Sequence, residues 1–301
     1  MLQAIIDIGS NTLRLVVYKI DGQRCEQVMK KKHLVGLAAF LKNGVMQQEG
    51  IERVCEVLSE YKKFLDGFGI KNVAAFTTAA LRNAKNSREA VTEIVSRTGI
   101  DVRVITGEEE AEYDFIGSTH NLKDDEGLIV DIGGASTEVV YFKERKIVLK
   151  TSLIIGSLSL QSNFVEGILP SKDEIKEMRA YARDVVESAE ELTEIRHAHI
   201  CGIGGTFKGG CALYNRHYGE DKKSELLDAQ KLAALVDCYA LEENLDEDTL
   251  IDLFTTCADR LHTIIPGLII ADAVAKRFDA KTIVYSDSGV REGYIYKELI
   301  K

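Results

Sequence analysis

The chain has 301 residues, of which 45% are hydrophobic and 29% charged, and a formal net charge of −10. That length suits two domains with cores of their own. No apolar run nears the roughly 20 residues that span a bilayer, and the acidic balance argues against a nucleic-acid partner. The N-terminus enters an apolar strand with no basic leader, and six scattered cysteines include no Cys-x-x-Cys pair. Free thiols and a cytoplasmic protein without a membrane partner are therefore expected.

In chain order, strands are expected at about 2–8, 13–20 and 25–32, followed by an amphipathic helix over Glu49–Phe68. A strand at Asn72–Thr77, a helix ending near Thr98 and a strand at Asp101–Ile105 complete the first half. The segment Glu108–Asn121 reads as a linking helix. The second half repeats the theme with three strands between Leu128 and Ile155, a helix after Ser171 and a strand at His199–Cys201. Helices then fill much of 228–278, a strand follows at Thr282–Tyr285, and a final helix from about Gly289 crosses back to the first lobe. The alternation is that of an α/β protein with two mixed sheets flanked by helices.

Four glycine turns interrupt this pattern. Asp7-Ile8-Gly9-Ser10-Asn11-Thr12 is echoed by Asp131-Ile132-Gly133-Gly134-Ala135-Ser136-Thr137-Glu138, each between two apolar runs. Both read as hairpins whose tips carry a carboxylate and accessible backbone N–H groups, a combination suited to phosphate and a bridging magnesium ion. Gly202-Ile203-Gly204-Gly205-Thr206 and Ser286-Asp287-Ser288-Gly289 are further turns of this kind. Asp131 and Glu138, seven residues apart on opposite arms, are placed to share a metal ion.

Other residues admit two readings. The triplet Glu108-Glu109-Glu110 either complements a helix dipole or supplies a water-activating base. Arg82 either grips phosphate or sits on the surface. Lys30-Lys31-Lys32 and Lys222-Lys223 read as solvated faces, and His197 and His199 as structural. If the ligand is a polyanion, its attraction must come from a local basic groove and metal ions, given the acidic total.

On these motifs the chain resembles the exopolyphosphatase and guanosine pentaphosphate phosphohydrolase family of the actin-like ATPase and sugar kinase superfamily. The motifs are Asp7 to Leu15, Thr78 to Asn86, Gly107 to Ala111, Asp131 to Glu138, Gly202 to Thr206, Arg260 to Gly267 and Ser288 to Gly293, in that order. The resemblance implies two duplicated actin-like (ribonuclease H-like) domains around a cleft. One would be 1–118 with 288–301 and the other 119–287, in a short two-domain form. It further implies Glu110 as base, Arg82 on the terminal phosphates, and magnesium on Asp131 and Glu138, with Asp7 as a further carboxylate. Phosphate would be held by Gly9, Ser10 and Asn11, by Gly133, Gly134, Ala135 and Ser136, and by Gly204, Gly205 and Thr206. The implied activity is release of terminal phosphate from polyphosphate. The alternatives are guanosine pentaphosphate hydrolysis, a non-catalytic alarmone-binding regulator, or a kinase of the same superfamily. A homodimer is a further open expectation. Three features depart from the family pattern: Ala135 in the phosphate loop, Leu34 to Ala39 after the third strand, and Ser159 where many members carry arginine. An alanine fits the loop if its φ is negative.

Overall fold

A computed structural model describes residues 1–120, 124–241 and 245–300. The apolar runs flanking the first glycine turn pair as antiparallel strands β1 (Leu2–Ile8) and β2 (Thr12–Asp21), with Ile5 opposite Val16 and Asp7 opposite Arg14. Helices cover both faces of this hairpin, which is why its apolar residues run on without alternation. β3 (Arg24–Leu34) adds an exposed edge, and a two-residue pair, β4 (Leu41–Lys42) and β5 (Val45–Met46), forms a small ribbon beyond it.

Helix α1 (Gln48–Gly67) carries Ile51, Val54, Cys55, Leu58, Tyr61 and Leu65 at spacings of three and four, all turned into the first core. Six such side chains contribute roughly 10 kcal/mol of gross burial, an upper bound against an extended chain. β6 (Val73–Thr77) and β7 (Val102–Val104) extend the sheet in parallel, joined by the short α2 (Ala79–Arg82) and α3 (Ser87–Thr98). α4 (Gly107–Thr119) then leads to the second sheet, and the expected helix end at Asn121 lies outside the described residues.

The second lobe repeats the first. β8 (Glu126–Ile132), β9 (Thr137–Lys143) and β10 (Lys146–Leu153) form an antiparallel meander, followed by α5 (Ser157–Phe164) and α6 (Lys172–Glu187). β11 (His199–Ile203) pairs parallel to β8, and α7 (Gly204–Tyr218) starts directly from it. A three-residue edge strand β12 (Leu226–Asp228), helices α8 (Leu232–Cys238), α9 (Glu247–Cys257) and α10 (Ile264–Phe278), and β13 (Thr282–Ser286) follow. The sheet orders are β3-β2-β1-β6-β7 and β10-β9-β8-β11-β13-β12, the same five-strand arrangement plus one antiparallel edge. Among the described residues no helix is long and apolar enough to cross a membrane.

The chain ends in α11 (Val290–Tyr294) and a π-helical turn, Ile295–Leu299, whose Ile295 and Tyr294 pack with Ile5, Val16, Tyr18 and Tyr113. Tyr18 donates to Glu292 at 2.5 Å and Tyr113 to Glu298 at 2.8 Å, tying this segment to β2 and α4. Where α4 and α11 cross, backbone meets backbone: a Cβ on Gly293 would overlap the Tyr113 carbonyl, and one on Gly117 the Gly289 carbonyl. Gly293→Ala is therefore expected to cost about 1–3 kcal/mol, read as a lowered urea midpoint. Gly67→Ala, with open space around its Cβ, should leave that midpoint nearly unchanged.

Candidate active site

The repeated hairpins bring their tips together. A Cβ on Gly134 would lie 2.9 Å from the Ser10 Cβ and 3.3 Å from the Asn11 nitrogen. Each tip closes in the same way, with Gly9 N–H donating to Thr12 O at 3.1 Å and Gly133 N–H to Ser136 O at 2.9 Å. Beside them lies a cleft of about 400 Å³. Asp7, Gly9, Ser10, Asn11, Glu110, Asp131, Gly133, Gly134, Ser136, Gly204 and Gly205 all line it. Most of the residues singled out in the sequence thus converge on one place.

The hairpins differ in charge. Asp7 stands opposite Arg14, whose Nη1 donates to it at 3.1 Å, and Arg291 donates to the same oxygen at 3.3 Å. In the second copy the equivalent register places Asp131 opposite Glu138. Among the described residues Asp131 has no ion pair or side-chain hydrogen bond, and burial together with Glu138 pushes its carboxyl up to about 7. Glu138 accepts from Ser152 Oγ at 2.7 Å and lies 3.5 Å from Arg82 Nη2; burial raises its pKa, with the hydroxyl and guanidinium opposing. Gly204 is required beside it, since its φ is +87° and a Cβ there would strike the Asp131 carboxylate.

The three glutamates in the first turn of α4 divide their roles. Glu108 is exposed. Glu109 closes a capping box with Thr106, the two exchanging bonds of 2.8 and 3.1 Å, and also pairs with Arg103. Glu110 alone is buried and reaches the cleft, where Arg82 Nη1 donates to its Oε2 at 2.5 Å. Desolvation, then the Glu138 charge, raise its pKa well above the carboxylate range despite Arg82. Dipole compensation and site chemistry, alternatives on sequence grounds, fall to different residues of one triplet.

Several expected residues are placed otherwise. Thr206 does not line the cleft: its hydroxyl donates to the Ile132 carbonyl at 3.1 Å, and its methyl packs on Gly267. Ala135 is buried behind the loop with its backbone against Gly156, and its φ is not among the positive ones, so the methyl is accommodated. Arg82 sits behind the cleft, bridging Glu110 and Glu138. Ser159 caps α5 by exchanging bonds of 3.0 Å with Gly156. The 34–39 segment braces the first tip, with Val35 and Gly36 N–H groups on Asn11 O and Ala38 N–H on Ser10 O.

Cations are what the sequence reading missed. Lys30 and Lys32 line the cleft, while Lys31 faces the other way and pairs with Glu60. Read as one solvated run, these lysines are split by the alternation of β3. Arg14, Arg260 and Arg291 were visible only as motif residues without a role, and Lys208, one turn into α7, carried no signal. Arg260 lies against Gly205, where a Cβ would overlap its guanidinium. Asp114, one turn after Glu110, is 1% exposed, and neither carboxylate oxygen has a hydrogen-bond partner among the described residues. Burial, then the Asp131 and Glu110 charges, raise its pKa strongly. Spacing of i, i+4 from Glu110 was its only signal.

For magnesium, the donor set fits in part. Magnesium is held by one or two carboxylates plus waters and substrate phosphates. Asp131, a carboxylate with no direct ion pair among the described residues and with a second carboxylate across the strand, meets that need; Asp7, gripped by two arginines, does not. No cluster of three acidic, histidine or cysteine ligands is gathered among the described residues.

Two facing lobes of the same topology, with glycine hairpin tips meeting at a cationic cleft, define a phosphoryl-handling protein of the actin-like α/β class. The sequence matches the Ppx/GppA phosphatase family over residues 16–301. The chain belongs to that family and is a phosphoanhydride hydrolase. It is 27% identical over 297 residues to a putative exopolyphosphatase of Haemophilus influenzae, covering 97% of this chain and 90% of that one. It is similar to the solved Ppx/GppA family member from Aquifex aeolicus, with 29% identity, a TM-score of 0.75, and 99% and 97% of the two chains covered. For an exopolyphosphatase from Cytophaga hutchinsonii the identity is 26% and the TM-score 0.82, with 98% and 97% covered.

The buried carboxylates have a consequence for stability. Glu110, Asp114, Asp131 and Glu138 all have folded pKa values raised above the unfolded range near 4. The folded state then holds more protons than the unfolded one, so their contribution is full below pH 4 and is lost as pH rises, for Asp131 through about 7. In metal-free protein, Asp114→Asn should therefore flatten the decline of the urea midpoint between pH 5 and 7.5. An unchanged slope would show that the Asp114 pKa is not raised in the folded state.

Proposed function

We propose that the protein is a magnesium-dependent exopolyphosphatase, releasing the terminal phosphate of inorganic polyphosphate by attack of water. The observation that carries this reading is Glu110, a buried carboxylate on the cleft wall with its pKa raised toward the working range of a base. Among the described residues six cations, Arg14, Lys30, Lys32, Lys208, Arg260 and Arg291, line the same cleft, with Tyr285 its one aromatic residue. That favours a bare phosphate chain over a nucleotide that needs a base-stacking slot. The free thiols of all six cysteines support a cytoplasmic setting.

In the proposed reaction Glu110 orients water and accepts its proton as the water oxygen bonds to the terminal phosphorus. The bridging P–O bond breaks, and the shortened chain leaves with the bond pair. Arg82, already within reach of Glu110, shifts its donors toward the phosphoryl oxygens as charge builds there. Asn11, whose side-chain oxygen and nitrogen are buried without partners among the described residues, offers a donor at the first tip. The N-terminus of α7 at Gly204 and Gly205 adds backbone N–H groups and the positive end of its dipole. Magnesium, held by Asp131 with Glu138 behind it, would neutralise phosphate charge and polarise the phosphoryl group.

Phosphate release should be followed for long polyphosphate, tripolyphosphate and guanosine pentaphosphate with magnesium present. Glu110→Gln is expected to lower kcat by at least about a hundredfold, within the usual range for a positioned base, with substrate binding retained. EDTA should abolish release and magnesium restore it. A ranking led by guanosine pentaphosphate would reassign the substrate. Binding without release from any of the three would make the protein a sensor.

A further inference from the structure

A second basic concavity lies on the outer face of the second lobe, away from the cleft. It has a volume of about 680 Å³, and Arg179, Arg183, Arg196, Lys276 and Arg277 supply its walls. They come from α6, from the segment before β11 and from the C-terminal end of α10. In a chain of net charge −10, five cations converging on one hollow make a strong local exception. Among the described residues two carboxylates share the lining: Asp272, which accepts from Lys276 at 2.6 Å, and the exposed Glu187.

The guanidinium groups are underused. Arg183 meets only Asp184, at 3.6 Å, and Arg277 reaches the Thr193 carbonyl at a marginal 3.5 Å. Arg196 donates to the Thr193 and Ile195 carbonyls, and its charge is felt by Asp279 without a direct ion pair among the described residues. Arg179 is anchored to Asp237 and to the Ala233 carbonyl, yet its Nε is buried with no partner among the described residues. Arginine forks match phosphate oxygens and bind them through paired N–H donors. Among the described residues the lining holds no aromatic side chain on which a base would stack, and the hollow has more room than one orthophosphate fills.

We infer that this basin is a second anion site, which takes an oligophosphate of three or more phosphoryl units. α10 runs from α7, where Gly267 packs on Thr206, to the basin, where Lys276 and Arg277 lie roughly 15 Å further along the helix at 1.5 Å per residue. The oligophosphate is either the far part of a chain whose end occupies the cleft or a separate molecule.

Calorimetric titration of the full Glu110→Gln chain with tripolyphosphate tests this without relying on hydrolysis. Two classes of site are expected, and adding Arg183→Ala with Arg277→Ala should weaken one class about tenfold or more, as for lost charged hydrogen bonds. These arginines make no strong internal bond, and Arg183→Lys with Arg277→Lys should recover most of the binding. A single class of site, or a titration unchanged by the double alanine variant, overturns the inference. In the otherwise native chain, a raised KM for long polyphosphate but not for tripolyphosphate, with kcat unchanged, identifies the far part of the same chain. Weakened binding with both KM values unchanged identifies a separate molecule.

Discussion

The second hairpin places two carboxylates opposite each other across adjacent strands, and much of the site is arranged around that repulsion. In the first hairpin the same register holds an aspartate and an arginine, so charge is balanced locally and a second arginine only reinforces it. At Asp131 and Glu138 nothing on the strands balances the pair. Serine and arginine reach Glu138 from behind, and Asp131 is left facing the cleft. A duplicated scaffold has thus been made asymmetric by one cross-strand position. One tip is a finished ion pair; the other is an unmet demand for positive charge.

That demand propagates along α4. Arg82 holds Glu110 and Glu138 together, and with Asp131 and with Asp114 one turn further on, four acidic groups from α4 and the hairpin share one poorly solvated region. Burying like charges raises the energy of the charged state, and the fold tolerates this because much else is tightly locked. The capping box of Glu109 fixes the start of the helix, and glycine contacts with α11 fix its far half. A site that concentrates destabilising charge therefore rests on joints that allow little backbone movement.

Much of this was legible in the sequence because it depends on local pattern. Apolar runs around two glycine turns gave both hairpins, and a strand pair leaves little choice about which residues stand opposite. What escaped was spread over distant segments or hidden by alternation. Lys30 and Lys32 look like part of a solvated run until β3 sends alternate residues to opposite faces. Thr206 reads like its glycine neighbours, but the first turn of α7 turns its hydroxyl to a backbone carbonyl. The three-residue strand β12 is too short to show a period. The outer basin draws its arginines from three separate segments, so no stretch of sequence announces it.

One consequence follows from the way the cleft cations are already matched. Arg14 and Arg291 hold Asp7, Lys32 holds Asp259 from the opposite lobe, and Lys208 lies 3.7 Å from Asp287. Among the described residues Lys30 and Arg260 have no ion pair, but to engage the other four an incoming anion must exchange with carboxylates the protein supplies itself. Such an exchange discriminates by valence, because a ligand with many linked charges displaces several internal partners at once and a small one does not. Cleavage makes one small anion, and the protein's own acids are positioned to take back the cations it leaves.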